Sequence, residues 1–90
     1  MANAASLKER FEQAAQDIHR LDQRPDNETL LRLYAFYKQG AEGDARGDKP
    51  GFFDFVGTAK YEAWTSLRGM SQVEAMQKYV ELVGKMTPEP

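Results

Sequence analysis

The sequence predicts an all-α protein of four helices. Three observations carry that expectation. Apolar residues recur three and four positions apart in four separate segments. Two of those segments open on the same pattern, Ser6-Leu7-Lys8-Glu9 and Ser71-Gln72-Val73-Glu74. In such a capping box, a serine hydroxyl and a glutamate carboxylate satisfy free N–H groups of the first turn. No segment alternates apolar and polar residues as a half-buried strand would.

The first helix follows the Ser6 box, with Phe11, Ala14, Ala15, Ile18 and Leu21 at helical spacing. It is expected to run from Leu7 to Leu21, because Pro25 pushes Arg24 out of the helical region. Asp26 or Asn27 caps a second helix, and Glu28 in its first turn suits the helix dipole. Leu30, Leu33, Tyr34, Tyr37 and Ala41 share a side, and Gly40 and Gly43 mark its end. A long loop rich in Gly, Asp and Pro comes next, with Phe52, Phe53 and Phe55 near its end. Those phenylalanines are expected to tether the loop to the core, and loops of this length are often functional. The third helix is expected to begin near Thr58 and to end at Gly69. The fourth follows the Ser71 box, with Val73, Met76, Val80 and Val83 on one face, and Pro88 stops it.

At 90 residues the chain makes one domain, residues 1–90, whose binding site is a surface groove rather than a deep cavity. The net charge of −2 disfavours nonspecific nucleic-acid binding, which needs a basic surface to release counterions. The absence of cysteine excludes disulfides, thiolate metal sites and thiol nucleophiles. No signal peptide is visible, and no apolar run approaches the length of a membrane span. A cytoplasmic, monomeric protein is expected.

The stretch Tyr34-Ala35-Phe36-Tyr37-Lys38 concentrates unusual side chains. With about 100° between successive residues, Tyr34, Tyr37 and Lys38 fall in one arc of about 100°, while Phe36 points nearly opposite. The three form one patch of two phenols and an ammonium. Spacing alone favours core-edge tyrosines with wet hydroxyls and a lysine snorkelling past them. The competing possibility is an anion site with an aromatic platform, since lysine and phenol donate to phosphate and an aromatic face stacks on a base. Lys60 and Trp64 share a side of the third helix, where Trp64 is expected in the core with Leu67. Tyr79 is expected at a core edge.

Other motifs carry little. His19 is the only histidine, so no zinc pair exists, and no Ser-His-Asp set follows from spacing. Gly43-Asp44-Ala45-Arg46-Gly47-Asp48 lacks the ending of a P-loop, and Asp44, Asp48 and Asp54 are spaced too widely for an EF-hand loop. Nothing assembles a nucleophile, a base and an oxyanion donor, so no enzyme and no cofactor are expected.

Three longer stretches carry a resemblance: Pro25 to Asp44, Lys49 through Trp64, and Gly69 to Val83. Within them, Tyr34-x-x-Tyr37-Lys38-Gln39, Pro50-Gly51 to Asp54-Phe55, and Ala59-Lys60 leading into Ala63-Trp64 are the most specific. The chain resembles the acyl-CoA-binding proteins from about Phe11 to Val83. The resemblance implies an up-down-down-up four-helix bundle that carries long-chain fatty acyl-CoA on its surface, shields the thioester and passes it to acyl-CoA-using enzymes. It implies that Tyr34, Lys38 and Lys60 hold the 3′-phosphate of the CoA ribose, and that Tyr37 lies against the adenine. It places Ala15 and Tyr79 at the head group and thioester. Ile18, Leu30 and Leu31 would face the acyl chain.

The chain departs from the family pattern where many relatives have lysine at the position of His19, near the head group. Imidazole weakens that contact or makes it respond to pH. Val56 and Thr58 also stand where lysines are frequent, leaving the rim less basic. Tyr61 stands where tryptophan is usual, and Gly40 where another small residue is. The rival to the carrier is a helical protein-interaction or regulatory peptide module with the tyrosines as docking anchors. An ending at Met86-Thr87-Pro88-Glu89-Pro90 is expected of a free-standing carrier rather than a domain of a larger enzyme.

Overall fold

The computed structural model describes residues 6–87 and contains four α-helices, with no strand among them. They are α1 (Leu7–Asp17), α2 (Asn27–Glu42), α3 (Phe55–Thr65) and α4 (Gln72–Met86). Pro88, expected to stop α4, lies outside the described residues.

Side-chain caps set most of the helix starts. Ser6 and Glu9 form the reciprocal box at 3.1 and 2.9 Å. Asp26, rather than Asn27, caps α2 by accepting the Thr29 N–H at 2.8 Å, and the Thr29 hydrogen bonding holds its carboxyl below the ordinary value. Ser71 accepts the Glu74 N–H at 3.0 Å. Among the described hydrogen bonds, the returning glutamate bond is made at Ser6 and not at Ser71.

Four points of the helix boundaries differ from expectation. α1 ends at Asp17 instead of Leu21, because Ile18–Arg20 tighten into a 3-10 turn and Leu21 is already extended. Such a turn uses up terminal carbonyls that the helix leaves unpaired. α3 starts at Phe55, three residues before Thr58, because Asp54 accepts the Gly57 N–H at 2.8 Å and caps it there. It ends at Thr65, and a tight turn carries the chain to Gly69, whose φ is 95°. Finally, Gly40 does not end α2. It is buried within the helix, and a Cβ there would meet Met76 Cγ and Phe11 Cζ, each at 3.1 Å. Its missing side chain lets α1 and α4 close over α2. Gly43, just past the helix end, has a positive φ of 83°, which glycine adopts at no steric cost.

The core joins α1, α2 and α4 through Phe11, Ala14, Leu33, Tyr79 and Val83, with Ile18, Leu30, Phe36, Met76 and Val80 packed against it. Burying a side chain such as Phe11 contributes about 1.5–3 kcal/mol. Val73, expected on this face, is 57% exposed; Ala75 and Tyr79 take the buried positions instead. α2 packs against α4 on one side and α3 on the other. It therefore buries Ala35 and Gln39 as well as Leu33, more than a single apolar stripe would.

The loop between α2 and α3 is tied down by polar side chains, not by its phenylalanines. Phe52, Phe53 and Phe55 are 83%, 82% and 73% exposed, which overturns the expected apolar tether. Trp64 Nε1 donates to Gly43 O at 2.8 Å, the Arg68 guanidinium to Ala45 O at 3.0 Å, and the Tyr61 hydroxyl to Gly47 O at 2.9 Å. Asp44 accepts from Gly69 N and Gln39 Nε2, both at 2.8 Å, and Gln39 Nε2 also reaches Met70 O at 2.8 Å. Irregular backbone leaves its carbonyls without ladder partners, so donors on α3 and the turn after it supply them.

Candidate ligand-binding site

The site grows from the seam between α2 and α3. Tyr34 and Lys38 are one turn apart on α2, and α3 brings Lys60 alongside. Lys60 Nζ lies 5.3 Å from the centre of the Tyr34 ring, and Lys38 Nζ lies 4.8 Å from that of Trp64. Both ammoniums sit over aromatic faces, whose quadrupole attracts cations. Trp64 is buried beneath, as expected, and Phe36 turns away to pack against the core and to line a separate depression with Ala63 and Leu67.

Lys38 also holds Glu42 Oε2 at 2.5 Å. That hydrogen bond lowers the Glu42 carboxyl below the ordinary glutamate value, so the acid is charged near neutrality. An incoming phosphate would therefore compete with Glu42 for Lys38.

Tyr37 belongs to the other edge of α2. Its ring stacks on Phe11 at 5.3 Å and lies 5.7 Å from Tyr79, which in turn meets Phe11 edge-on at 5.3 Å. Tyr79 is 4% exposed, a core residue rather than a core-edge one, and burial raises its phenol above the ordinary value. Tyr37 keeps 39% of its surface exposed. The arc of Tyr34, Tyr37 and Lys38 is thus divided by its neighbours: α3 takes Tyr34 and Lys38, while α1 and α4 take Tyr37.

Two open depressions flank this arc. One, of about 640 Å³, is lined by Leu30, Leu31, Phe55, Val56, Ala59 and Lys60 among others. The other, of about 600 Å³, is lined by Phe11, Ala15, Tyr37, Gly40 and Met76 among others. Leu30, Leu31 and Lys60 therefore meet in one groove, and Ala15 meets Tyr37 in the other. Ile18 joins neither lining and packs against the core. His19 is exposed in the 3-10 turn.

The sequence does not single out Phe55, Val56 and Ala59 as groove residues, because a third helix beginning near Thr58 leaves the first two in the loop. Asp54, a good cap residue three positions before Gly57, is the signal. Glu42 is not singled out either, although a carboxylate four positions after Lys38 on a helix is a visible pair.

Comparison with known proteins matches this architecture. The four-helix fold and the basic, aromatic seam beside an apolar groove define a small helical ligand-binding class. The chain belongs to the acyl-CoA-binding protein family: the family model for acyl CoA binding protein matches residues 8–83. It is similar to acyl-CoA-binding protein homolog 1 of Caenorhabditis elegans, with 43% identity over 84% of this chain and 88% of that protein. The bovine acyl-CoA-binding domain-containing protein 6 is 47% identical, but the chain spans only 29% of it; it spans 20% of rat enoyl-CoA delta isomerase 2. Among solved structures, Oryza sativa acyl-CoA-binding protein 2 superposes with a TM-score of 0.85 at 34% identity, covering 90% of each chain. The yeast acyl coenzyme A binding protein gives 0.69 at 41% identity, over 83% of this chain and 87% of that one. No helix among the described residues is long and apolar enough to cross a membrane.

Proposed function

We propose that this chain binds long-chain fatty acyl-CoA on its surface without transforming it, as an intracellular carrier and pool former. One observation carries this most directly: Lys60, beside Tyr34, lines the same groove as Leu30, Leu31 and Ala59. An ammonium and a phenol at one end of an apolar groove suit an amphiphile with a phosphate head and a hydrocarbon tail. Family membership supplies the thioester of coenzyme A as that amphiphile.

In this assignment Tyr34, Lys38 and Lys60 take the 3′-phosphate, and the half-exposed ring of Tyr37 takes the adenine. Ala15 lies beside Tyr37 and faces the head group. Tyr79, buried against Phe11 and Tyr37, acts by fixing the Tyr37 ring. Leu30 and Leu31 carry the chain, joined by Val56 and Ala59. Ile18 supports the fold, and His19 offers a peripheral contact.

Methylene burial is worth about 0.8 kcal/mol when complete, and an open groove covers part of that. Affinity should therefore rise steadily from butyryl- to palmitoyl-CoA in a calorimetric series, with free CoA and free fatty acid both weaker. Flat affinity across the series would overturn the groove.

A further inference from the structure

The groove beneath Leu30 and Leu31 has a neighbour on α3. Phe55 and Ala59, which line it, also line a neighbouring depression of about 530 Å³ whose wall includes Pro50 and Phe52. The two depressions share these two apolar residues. Beyond them stands an exposed aromatic pair: Phe52 and Phe53, 83% and 82% exposed, meet edge-on at 5.1 Å. An ordered turn presents that pair. Asp54 N donates to Gly51 O at 3.0 Å, and Asp54 caps α3.

The charges at this depression point to the occupant. Lys49 Nζ and Glu62 Oε2 lie 3.1 Å apart on its rim and neutralise each other. No unpaired charge is left among its lining residues to hold an anionic or cationic group. The remaining lining is mainly apolar, so hydrocarbon fits and a charged ligand does not.

We propose that this second depression is a subsite for the distal carbons of acyl chains that outrun the groove between α2 and α3. The protein then favours very-long-chain thioesters over those of ordinary length. This inference rests on the acyl-CoA binding proposed above.

The test is a calorimetric series with octanoyl-, palmitoyl-, arachidoyl- and lignoceroyl-CoA, each below its micelle concentration. It compares the wild type with Phe52→Ser and Phe52→Leu. The Phe52 side chain is largely in water, so the fold is not at stake. A methylene half covered by protein adds about twofold to affinity, about half on the logarithmic scale of the effect of full burial. The wild type should gain about fifteenfold from palmitoyl- to arachidoyl-CoA, four methylenes at about twofold each. Phe52→Ser should gain less than about threefold over that step, Phe52→Leu should keep most of the gain, and octanoyl-CoA should bind all three alike. A wild-type curve that levels off at palmitoyl-CoA, or a Phe52→Ser curve as steep as wild type, overturns the subsite and leaves acyl-CoA binding intact. Failure of every thioester to bind any of the proteins overturns acyl-CoA binding itself.

Discussion

Replacing Lys38 by alanine separates the fold from recognition of the ligand. The Lys38 ammonium has two partners in the free protein, the Trp64 ring at 4.8 Å and Glu42 at 2.5 Å. A cation over an aromatic face is worth about 0.5–1 kcal/mol at an accessible site. A helical pair four residues apart adds about 0.3–0.5 kcal/mol, and Glu42 is exposed enough that no more is expected. The substitution should therefore destabilise the fold by about 1 kcal/mol, lowering Tm by about 4–8 °C in a domain of this size. The ligand term is larger. A hydrogen bond from a charged donor to phosphate is worth about 1.5–3 kcal/mol, or roughly ten- to a hundredfold in affinity.

The assay is calorimetry with dodecanoyl-CoA and with the same thioester lacking the 3′-phosphate, on wild type and Lys38→Ala. If Lys38 acts at that phosphate, the substitution should cost roughly ten- to a hundredfold with the first ligand and under about threefold with the second. Equal losses with both ligands would refute a 3′-phosphate role for Lys38. No loss with either, in a folded variant, would remove Lys38 from the site altogether.

Tyr34→Phe keeps the ring beneath Lys60 and removes only the hydroxyl; it should weaken dodecanoyl-CoA binding by about 1–3 kcal/mol, and unchanged affinity would exclude the hydroxyl from phosphate binding. Glu42→Gln frees Lys38 and should raise affinity about two- to fivefold at low salt, the scale of an accessible ion pair; an unchanged constant would show that Glu42 does not compete. Gln39→Ala leaves the Met70 carbonyl and the Asp44 carboxylate without their amide donor and should destabilise by about 1–3 kcal/mol in denaturant unfolding; a loss below about half a kcal/mol would remove Gln39 as the link between α2 and the loop. The Gly69 N–H, and then the Gln39 amide, hold the Asp44 carboxyl below the ordinary value of 3.8. A lowered carboxyl stabilises the fold above its ordinary value and loses that stability as pH falls through the folded value. Thermal unfolding of Asp44→Asn should thus show a shallower fall of Tm than wild type as pH drops below about 4; parallel curves would refute the linkage.

Much of this was legible beforehand, for local reasons. Ser6, Asp26 and Ser71 mark helix starts because a cap acts within a single turn. The arc of Tyr34, Tyr37 and Lys38 follows from the pitch of α2. Trp64 reads as core and Phe36 as facing away for the same reason. The errors share an origin as well. Gly57 read as loop because glycine is a poor helix former, yet the Asp54 cap starts α3 before it. The phenylalanines read as anchors because burial is their usual fate, yet here the loop's carbonyls are met by Trp64, Arg68 and Tyr61. Gly40 read as a terminator, whereas Phe11 and Met76 need its empty space.

The sequence by itself determined the four helices, most of their caps, and the side chains available to a phosphate and an acyl chain. Periodicity and capping act over one or two turns, so a single chain reveals them. Tertiary structure decided which of those side chains share a site. It sent Tyr37 toward Phe11 and Tyr79 and set Lys60 over Tyr34. It set Lys38 over Trp64, and it gathered Leu30 and Leu31 with Val56 and Ala59 around one groove. Each of these pairings joins different helices. Their positions depend on how α2 packs between α3 and α4, which helical spacing does not encode.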